Sequence, residues 1–378
     1  MKILVISMNS IHTNRWLSQL KSSHHEIYYF EALGGSYNKG LSWVNYQHYE
    51  WRSRLGNFKG KYLLKNKIPF LYKLLLKKPA SELNKVIKNI QPDVIHSFSF
   101  YISCSPFYEV IKNYKNIKWI YSAWGNDLFF NQHILKYKKD IDFILPKIDY
   151  LFADCTRDLV LANKLGFRGK VLGNFPGGGG YKLRKSESLK NTLQRCGIIM
   201  KGYEGPKHKA INVLSSLHLV KDFPNVTIFS AEKSVVNFVK TNFNNYREKF
   251  TIYAKGENIP HSNLMNMFND SLIYISNNLS DGMPNTLLEA ISNGAFPIQS
   301  NPGGASEEII THGENGLLIE DCEDIEEIKE RILTALQSPN LIDKAFEKNM
   351  ELRKKLDYEH IRKQVLEKYE LVEKELLC

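Results

Sequence analysis

Two acidic residues, Asp281 and Glu289, lie eight positions apart in the sequence, and their carboxylates are candidate ligand-binding groups. They flank the junction between a polar loop, NNLSDGMPN, and a helical pattern, TLLEAISNG. An ionised carboxylate only accepts hydrogen bonds and can hold two neighbouring hydroxyl groups at once. The two side chains are therefore suited to bind sugar hydroxyls on either side of a helix start.

The helix start between the two carboxylates is a candidate phosphate site. We expect Pro284 in the first turn of this helix, where its missing N–H group is not needed. The amides of Asn285, Thr286 and Leu287 then point out of the helix, and its dipole adds roughly 0.3–1 kcal/mol for a bound anion. The glycines Gly303–Gly304 allow a second close approach of backbone. Amides for phosphates and carboxylates for hydroxyls together suit a nucleotide diphosphate sugar.

Alternating strand and helix patterns must position this segment. Short apolar runs alternate with helical patterns twice along the chain, which predicts two doubly wound parallel sheets covered by helices. The predicted strands are Lys2–Ser7, Glu26–Phe30, Asp93–Ser97, Lys118–Ser122, Tyr150–Ala153, Lys170–Leu172, Gly197–Met200, Val226–Phe229, Phe250–Ala254, Leu272–Ile275 and Phe296–Gln299. The predicted helices include Asp158–Leu165, Ile211–Val220, Pro284–Asn293, Glu323–Leu336, Leu341–Leu356 and Tyr358–Leu377.

A glycine-rich break, NFPGGGG, separates the two sets of elements. Four consecutive glycines disfavour both helix and strand, so this run is a turn or hinge. We predict an N-terminal domain at 1–180 and a C-terminal domain at 181–357, with a last helix at about 358–378 packing back on the first domain. Ligands of such sheets bind beyond the carboxyl ends of the strands, so we expect a cleft between the domains.

The composition excludes several classes of protein. With 43% hydrophobic and 24% charged residues, the 378-residue chain is neither disordered nor fibrous, and no apolar run reaches the roughly 18 residues of a membrane span. The five cysteines show no C-x-x-C spacing, which argues against a zinc site or a disulfide framework and favours the reducing cytosol. The net charge of +11 favours phosphate-bearing partners: a nucleotide, an anionic lipid or a nucleic acid.

The segment SDGMPNTLLEAISNGAFPIQSNPGGASEEI resembles the E-x7-E signature of family 4 retaining glycosyltransferases, with Asp281 in place of the first Glu. The likeness continues through NGLLI and upstream through AKGENIPHSNLMNMF. The first half of the chain is similar to the family in outline, at MKILVIS, DVIHSFS, IYSAWGNDL and DYLFADCTRDLVLANKLG. The resemblance implies a GT-B architecture, in which two Rossmann-like, doubly wound parallel-sheet domains face each other across a cleft.

The resemblance also implies roles for single residues on the donor side. Asp281 would contact the donor sugar, and Glu289 the ribose. Lys201 is the candidate for the first basic residue beside the diphosphate, and Lys209 or Lys207 for the second. The donor-binding set is completed by Gly282, Met283, Pro284, Asn285, Thr286, Leu287, Lys255, Gly256, Gly303 and Gly304.

On the acceptor side the sequence departs from the family pattern. The first loop, SMNSIHTNRW, lacks the common Gly-Gly pair, which makes His12 a residue that could face the cleft. Where the family often has His-Gly, this chain has WGND, so Asn126 and Asp127 become acceptor-side candidates. For Asp127 the alternative is a role as a helix cap. His96, His261 and His312 have no metal-ligand spacing and are interpreted as structural or surface residues.

The implied activity is transfer of a sugar from a UDP- or GDP-linked donor to an acceptor hydroxyl with retention of configuration, in surface polysaccharide or glycolipid synthesis. Lysines and helix-end amides would stabilise the leaving diphosphate, so no metal and no other cofactor is expected. One alternative is an epimerase or hydrolase of nucleotide sugars with the same fold. A nucleic-acid-binding protein is a further alternative, although no motif for nucleic acid is found.

The segment 51–81 carries nine basic residues and no acidic one, interleaved with aromatic and aliphatic residues. Such a mixture suits the anionic surface of a membrane. A solvated helix face and a nucleic-acid patch are the alternatives. We expect a cytoplasmic protein with a lipid-linked or glycan acceptor. If the segment binds lipid, the protein is peripheral at the inner face of the plasma membrane.

Overall fold

The structure, a computed structural model, describes residues 1–54 and 61–377 of the chain. Of the basic segment 51–81, residues 55–60, which include Phe58 and Lys59, lie outside the described residues, as does Cys378. The chain divides into two compact units. The first unit is Met1–Gly179 with the C-terminal residues from Arg362 onward, and the second unit is Gly180–Ile361. The division falls within the glycine run.

The first unit contains a sheet of seven parallel strands in the order β3-β2-β1-β4-β5-β6-β7. Its strands are β1 (Lys2–Ser7), β2 (Glu26–Glu31), β3 (Tyr46–His48), β4 (Val94–Phe98), β5 (Lys118–Ala123), β6 (Tyr150–Ala153) and β7 (Lys170–Asn174). Its helices are α1 (Ile11–Ser18), α2 (Lys61–Lys67), α3 (Pro69–Leu74), α4 (Pro79–Ile90), α5 (Tyr108–Ile111), α6 (Leu135–Ile144) and α7 (Thr156–Lys164).

The second unit contains a sheet of six parallel strands and a separate antiparallel hairpin. Its strands are β8 (Ile198–Lys201), β9 (Glu204–Gly205), β10 (His208–Lys209), β11 (Val226–Ala231), β12 (Phe250–Ala254), β13 (Ile273–Ser276), β14 (Phe296–Ser300) and β15 (Leu317–Ile319). Its helices are α8 (Ala210–His218), α9 (Lys233–Asn242), α10 (His261–Asp270), α11 (Asn285–Ser292), α12 (Ile325–Gln337) and α13 (Pro339–Lys355). The order of the large sheet is β12-β11-β8-β13-β14-β15.

The central strands are buried along their whole length, because helices cover both faces of each sheet. All residues of β4, β13 and β14 are buried, without the alternation of a half-exposed strand. The prediction of two doubly wound parallel sheets is confirmed, and each predicted strand agrees with an observed one to within two residues at either end. Strands β3, β9, β10 and β15 were not predicted, because runs of two or three residues carry no periodicity.

The last helix, α14 (Tyr358–Leu377), places four apolar or aromatic residues on one buried face, Ile361, Val365, Tyr369 and Val372. From Arg362 onward this helix groups with the first unit. Among the described residues no helix, α14 included, has both the length and the apolar character needed to cross a membrane.

Candidate active site

The order of the second sheet marks a binding position before any side chain is considered. Strands β8 and β13 are neighbours, and the chain winds away from them in opposite directions, toward β11 and β12 on one side and toward β14 and β15 on the other. Ligands of doubly wound sheets bind beyond the carboxyl ends of the strands at such a switch point. Lys201 ends β8, and the loop that contains Asp281 follows β13.

A hairpin holds the loop after β13 in place. The backbone amide of Lys209 donates to the carbonyl of Asn277 at 2.9 Å, and the amide of Leu279 donates to the carbonyl of Lys207 at 3.0 Å. Strand β10 therefore pairs with the first residues of the loop. This contact joins residues about 70 positions apart and was not predicted from the sequence.

Asn278 links the hairpin to Asp281. Its buried side-chain oxygen lies 2.7 Å from Nδ1 of His208, and its Nδ2 donates to Oδ2 of Asp281 at 3.3 Å. The other carboxylate oxygen of Asp281 accepts from the amide of Gly282 at 3.0 Å, and Met283 is buried directly after it. The half-buried Asp281 carboxylate is thus oriented by its own loop, which keeps it at the carboxyl end of β13.

Helix α11 begins one residue later than expected. Pro284 is its N-cap, with ψ at 117°, rather than a residue of the first turn. The amide of Leu287 donates to the carbonyl of Pro284 at 3.0 Å, so the prediction that this amide is unpaired was wrong. Within the described part of the chain, the amides of Asn285 and Thr286 donate to no backbone or side-chain group, as expected for the first residues of a helix.

The carboxylate of Glu289 lies in the second turn of α11 and is 5% exposed. Its Oε1 atom is 2.9 Å from Nε2 of His261, the first residue of α10. From the sequence, His261 was interpreted as a structural or surface residue because it lacked metal-ligand spacing. The contact makes it a neighbour of the predicted ribose-binding carboxylate instead.

The lysines predicted to neutralise the diphosphate differ in their surroundings. Lys209, the residue before α8, pairs with Glu323 at 2.7 Å, and this hydrogen bond raises the pKa of the lysine. Nζ of Lys201 lies 4.5 Å from the ring centre of Tyr203. The ammonium of Lys255 is 5.3 Å from the same ring and is paired with Glu232.

Tyr203 was missed by the sequence analysis, although it lies in the glycine-flanked run KGYEG directly after β8. Its ring brings Lys201 and Lys255 to one place at the carboxyl ends of β8 and β12. Next to Lys255, Gly256 has a φ of 98° and open space around it. The predicted diphosphate lysine Lys201 and the predicted donor-binding residue Lys255 therefore share one aromatic neighbour.

The loop with the paired glycines follows β14. Gly303 and Gly304 have φ values of 62° and 82°, a region that disfavours other residues. The side chain of Asn301 organises the loop, because its oxygen accepts from the amides of Ser306 and Glu307 at 3.2 Å each. Because β14 is parallel to β13 and next to it, the glycine loop lies at the same edge of the sheet as the loop with Asp281.

The three acceptor-side candidates lie in the first unit. His12 is half-buried in the first turn of α1, and Asn126 follows β5, with no hydrogen-bond partner at its buried Oδ1 atom among the described residues. Asp127 is 5% exposed and accepts from Ser99 Oγ and the Phe100 amide at 2.8 Å each. These hydrogen bonds join the loop of Asp127 to the segment after β4, and the acceptor-side role of Asp127 stays a prediction.

In a comparison with known proteins, part of each unit matches a family model. A model described as "Glycosyl transferase 4-like" matches residues 2–155, and one described as "Glycosyl transferases group 1" matches residues 252–357, which include Asp281 and Glu289. None of the curated proteins compared with the chain matches it.

Several solved structures share the fold over nearly the whole chain. A glycosyltransferase from Rickettsia africae is 17% identical with a TM-score of 0.69, and covers 100% of this chain and 98% of its own. Sucrose-phosphate synthase from Thermosynechococcus elongatus is 13% identical with a TM-score of 0.72, and the match covers 98% of this chain and 99% of the synthase. HepE from Anabaena, solved with UDP-glucose, is 11% identical with a TM-score of 0.69, and the match covers 98% of this chain and 99% of HepE. The GT-B fold and the two family models together indicate that the chain is a GT-B glycosyltransferase of the family 4-like group.

Proposed function

We propose that the protein transfers a sugar from a UDP- or GDP-linked donor to an acceptor hydroxyl with retention of configuration. One observation carries the proposal: Asp281 and Glu289 flank the start of α11 at the switch point of the second sheet. At that helix start the amides of Asn285 and Thr286 are available to an anion. The UDP-glucose in the Anabaena HepE structure supports a donor of this class.

Each group of the donor has a counterpart in the second unit. The amides of Asn285 and Thr286 would hold the distal phosphate, and Lys201 would lie beside the diphosphate. Glu289 would accept from the ribose hydroxyls, while Asp281 would accept from the sugar. Since Asp281 has a shorter side chain than the Glu of the related signature, it reaches less far and favours a different set of donor hydroxyls.

The transfer breaks the bond between the anomeric carbon and the diphosphate oxygen. A new bond forms from the acceptor oxygen on the same face of the sugar, and the acceptor proton passes to the departing phosphate oxygen. Negative charge grows on the diphosphate as the bond breaks, so fixed amides and lysines lower the barrier most at that point. Lys209 can join them if the diphosphate displaces Glu323, because partly exposed ion pairs contribute only about 0–1 kcal/mol.

The donor assignment is tested by thermal shift with nucleoside diphosphates and their sugars. A ligand at 100 times its dissociation constant stabilises by about 2.7 kcal/mol. We expect Glu289→Ala to abolish the shift caused by UDP or GDP, and Asp281→Ala to abolish only the additional shift caused by the sugar. Glu330→Ala, an exposed carboxylate on α12, is the control and should respond like the parent. Parent-like shifts in both site variants would contradict the assignment.

The reaction type is tested with the donor that binds. Retention predicts that the product keeps the anomeric configuration of the donor sugar, which NMR of the product measures. Inversion would contradict the proposed stereochemistry. Consumption of the nucleotide sugar at an undiminished rate without any acceptor would instead indicate a hydrolase or an epimerase.

We further propose that the acceptor is lipid-linked or a growing glycan and that the segment 51–81 contacts an anionic membrane. Helix α3 has no buried residue, and its Phe70 is 73% exposed. Leu63, Ile68 and Leu74 are also exposed, by 64%, 51% and 56%. The side chains of Lys67, Lys73 and Lys78 are exposed in the same segment. A surface that exposes both basic and large apolar side chains is suited to bind an anionic membrane.

Both ends of this segment are tied to the first unit. Trp51 is buried, and its indole N–H donates to the carbonyl of Glu31 at 2.7 Å. Ser53 forms an antiparallel bridge with Leu76, which joins the two ends of the segment to each other. Trp51 therefore anchors the segment rather than contributing to its exposed aromatic face.

Vesicle co-sedimentation tests the membrane contact. We expect binding to vesicles with anionic lipid and little binding to neutral ones, because each basic residue near the surface contributes roughly 1 kcal/mol. Lys67→Ala with Lys73→Ala should weaken binding by about tenfold or more. Phe70→Ser should also weaken it, whereas Leu135→Ser, at an equally exposed position (72%) on α6, should not. Equal binding to neutral and anionic vesicles would contradict the proposal.

A further inference from the structure

Glu289 has a neighbour whose role the proposed function leaves open. Its carboxylate is almost wholly buried, and a buried carboxylate without a hydrogen-bond donor is costly. Nε2 of His261 lies 2.9 Å from Oε1 of this carboxylate. The imidazole is 44% exposed and the Glu289 side chain only 6%, so His261 lies on the solvent side of the pair.

We propose that His261 is a positioning residue that orients the Glu289 carboxylate for the two ribose hydroxyls of the donor. The inference rests on the proposed function, because it assigns His261 to the carboxylate that is proposed to bind the ribose. An N–H donated to one oxygen fixes the rotation of the carboxylate about its last side-chain bond. A carboxylate that is already oriented binds a pair of hydroxyls without first losing this freedom.

The two helices that carry the pair are held together at their other ends. The guanidinium of Arg195 donates to the carbonyl of Phe268 near the end of α10 at 3.3 Å, and to that of Asn293 at the end of α11 at 2.8 Å. The carboxyl ends of α10 and α11 are therefore kept together by a contact that does not involve His261. Replacing the imidazole should leave the helices in place and change only the carboxylate.

The experiment measures the affinity of the parent and of His261 variants for UDP or GDP, whichever stabilises the parent. We expect His261→Ala to weaken binding by about tenfold to a hundredfold, the range for a hydrogen bond to a charged group. His261→Gln should recover most of the affinity, because its amide nitrogen reaches the position of Nε2. His261→Asn, whose nitrogen is nearer to the position of Nδ1, should not recover it.

A nucleoside diphosphate without ribose hydroxyls separates positioning from a general loss of structure. The 2′,3′-dideoxy form of the same nucleotide should bind the parent and His261→Ala equally, because Glu289 then has no hydroxyl to accept from. In turnover, His261→Ala should raise the KM for the donor sugar nucleotide by more than it lowers kcat. Asn263→Ala, an exposed residue in the same first turn of α10, should match the parent in both measurements.

Three outcomes would overturn the inference: parent-like affinity of His261→Ala, equal losses for the normal and the dideoxy nucleotide, or failure of Gln to exceed Asn. A failure of the proposed function looks different. In that case Glu289→Ala itself would bind the nucleotide like the parent. If Glu289→Ala loses binding while His261→Ala keeps it, only the role of His261 is wrong.

Discussion

The carboxylate of Asp127 joins the loop after β5 to the segment after β4 and to β5 itself. It accepts from Ser99, Phe100 and the hydroxyl of Tyr121, and all of these donors are internal to the first unit. Burial raises its pKa from 3.8 to about 6, although the hydrogen bonds act in the opposite direction. The folded protein therefore holds this proton more tightly than the unfolded chain does.

This raised pKa has a consequence for stability. Between pH 4 and pH 6 the folded state binds the proton of Asp127 while the unfolded state has lost it, so this contribution to stability falls as the pH rises through about 6. We expect the parent to gain about 1 kcal/mol from this group between pH 7 and pH 5, and Asp127→Asn to lack that gain. Chemical denaturation at both pH values measures it.

Two buried histidines, His25 and His96, make stability depend on pH in the opposite direction, so their contribution must be distinguished from that of Asp127. Burial lowers the pKa of His25 to about 4 and that of His96 to about 3, so their contributions to stability fall as the pH drops below 6.5. Both are present in the parent and the variant, so the difference between the two proteins isolates Asp127. A difference that does not change between pH 7 and pH 5 would contradict the prediction.

At the scale of elements, Arg195 joins the two helices that carry the proposed ribose site. Its side chain is 5% exposed, and burial lowers its pKa to about 10. Besides the carbonyls of Phe268 and Asn293, it donates to the carbonyl of Lys190 at 2.7 Å. A cation at the carboxyl ends of α10 and α11 also interacts favourably with both helix dipoles.

We expect Arg195→Met to lower the free energy of unfolding by about 2–4 kcal/mol, because it leaves buried carbonyls without a donor. It should also weaken nucleotide binding, since α10 and α11 lose their common contact. Urea denaturation and the thermal-shift assay measure the two effects. Arg247→Met, at an exposed arginine of the same unit, should change stability by less than about 0.5 kcal/mol. An equal effect of the two substitutions would refute this role.

At the scale of the whole molecule, the end of the chain completes the core of the first unit. The buried hydroxyl of Tyr369 on α14 lies 3.0 Å from Nε1 of Trp16 and 2.8 Å from Nδ1 of His96. Nε2 of His96 in turn lies 2.8 Å from Oγ of Ser122. Since the indole can only donate, the hydroxyl accepts from Trp16, and it forms a second hydrogen bond with Nδ1 of His96.

Tyr369→Phe should destabilise the first unit by about 2–3 kcal/mol, because two buried ring nitrogens lose their partner. All five tryptophans lie within residues 16–124, so tryptophan fluorescence reports the unfolding of this unit alone. Tyr246→Phe, at a half-exposed position of the second unit, is the control and should leave the fluorescence transition unchanged. A Tyr369→Phe transition at the parental urea concentration would show that α14 does not support this core.

Local sequence determined the elements and the strand–loop–helix unit around Asp281 and Glu289. Buried strands such as β1 and β13 are continuous apolar runs, and a glycine-bearing loop before a helix is visible in adjacent residues. The predicted start of α11 was wrong by one residue. As a result, the Leu287 amide donates to the carbonyl of Pro284 instead of being unpaired. Helix boundaries depend on a single hydrogen bond, which neighbouring residues specify weakly.

Only the tertiary structure decided which distant residues meet. His261 reaches Glu289 across 28 positions, and His208 reaches Asn278 across 70, because packing sets α10 against α11 and the strand order sets β8 beside β13. Contacts between elements also buried Asp127 in the first unit and gave Lys209 an ionic partner 114 positions away in the second. Residue types and short-range periodicity encode each element, whereas contacts between elements depend on how the sheet is wound, and no local pattern records that.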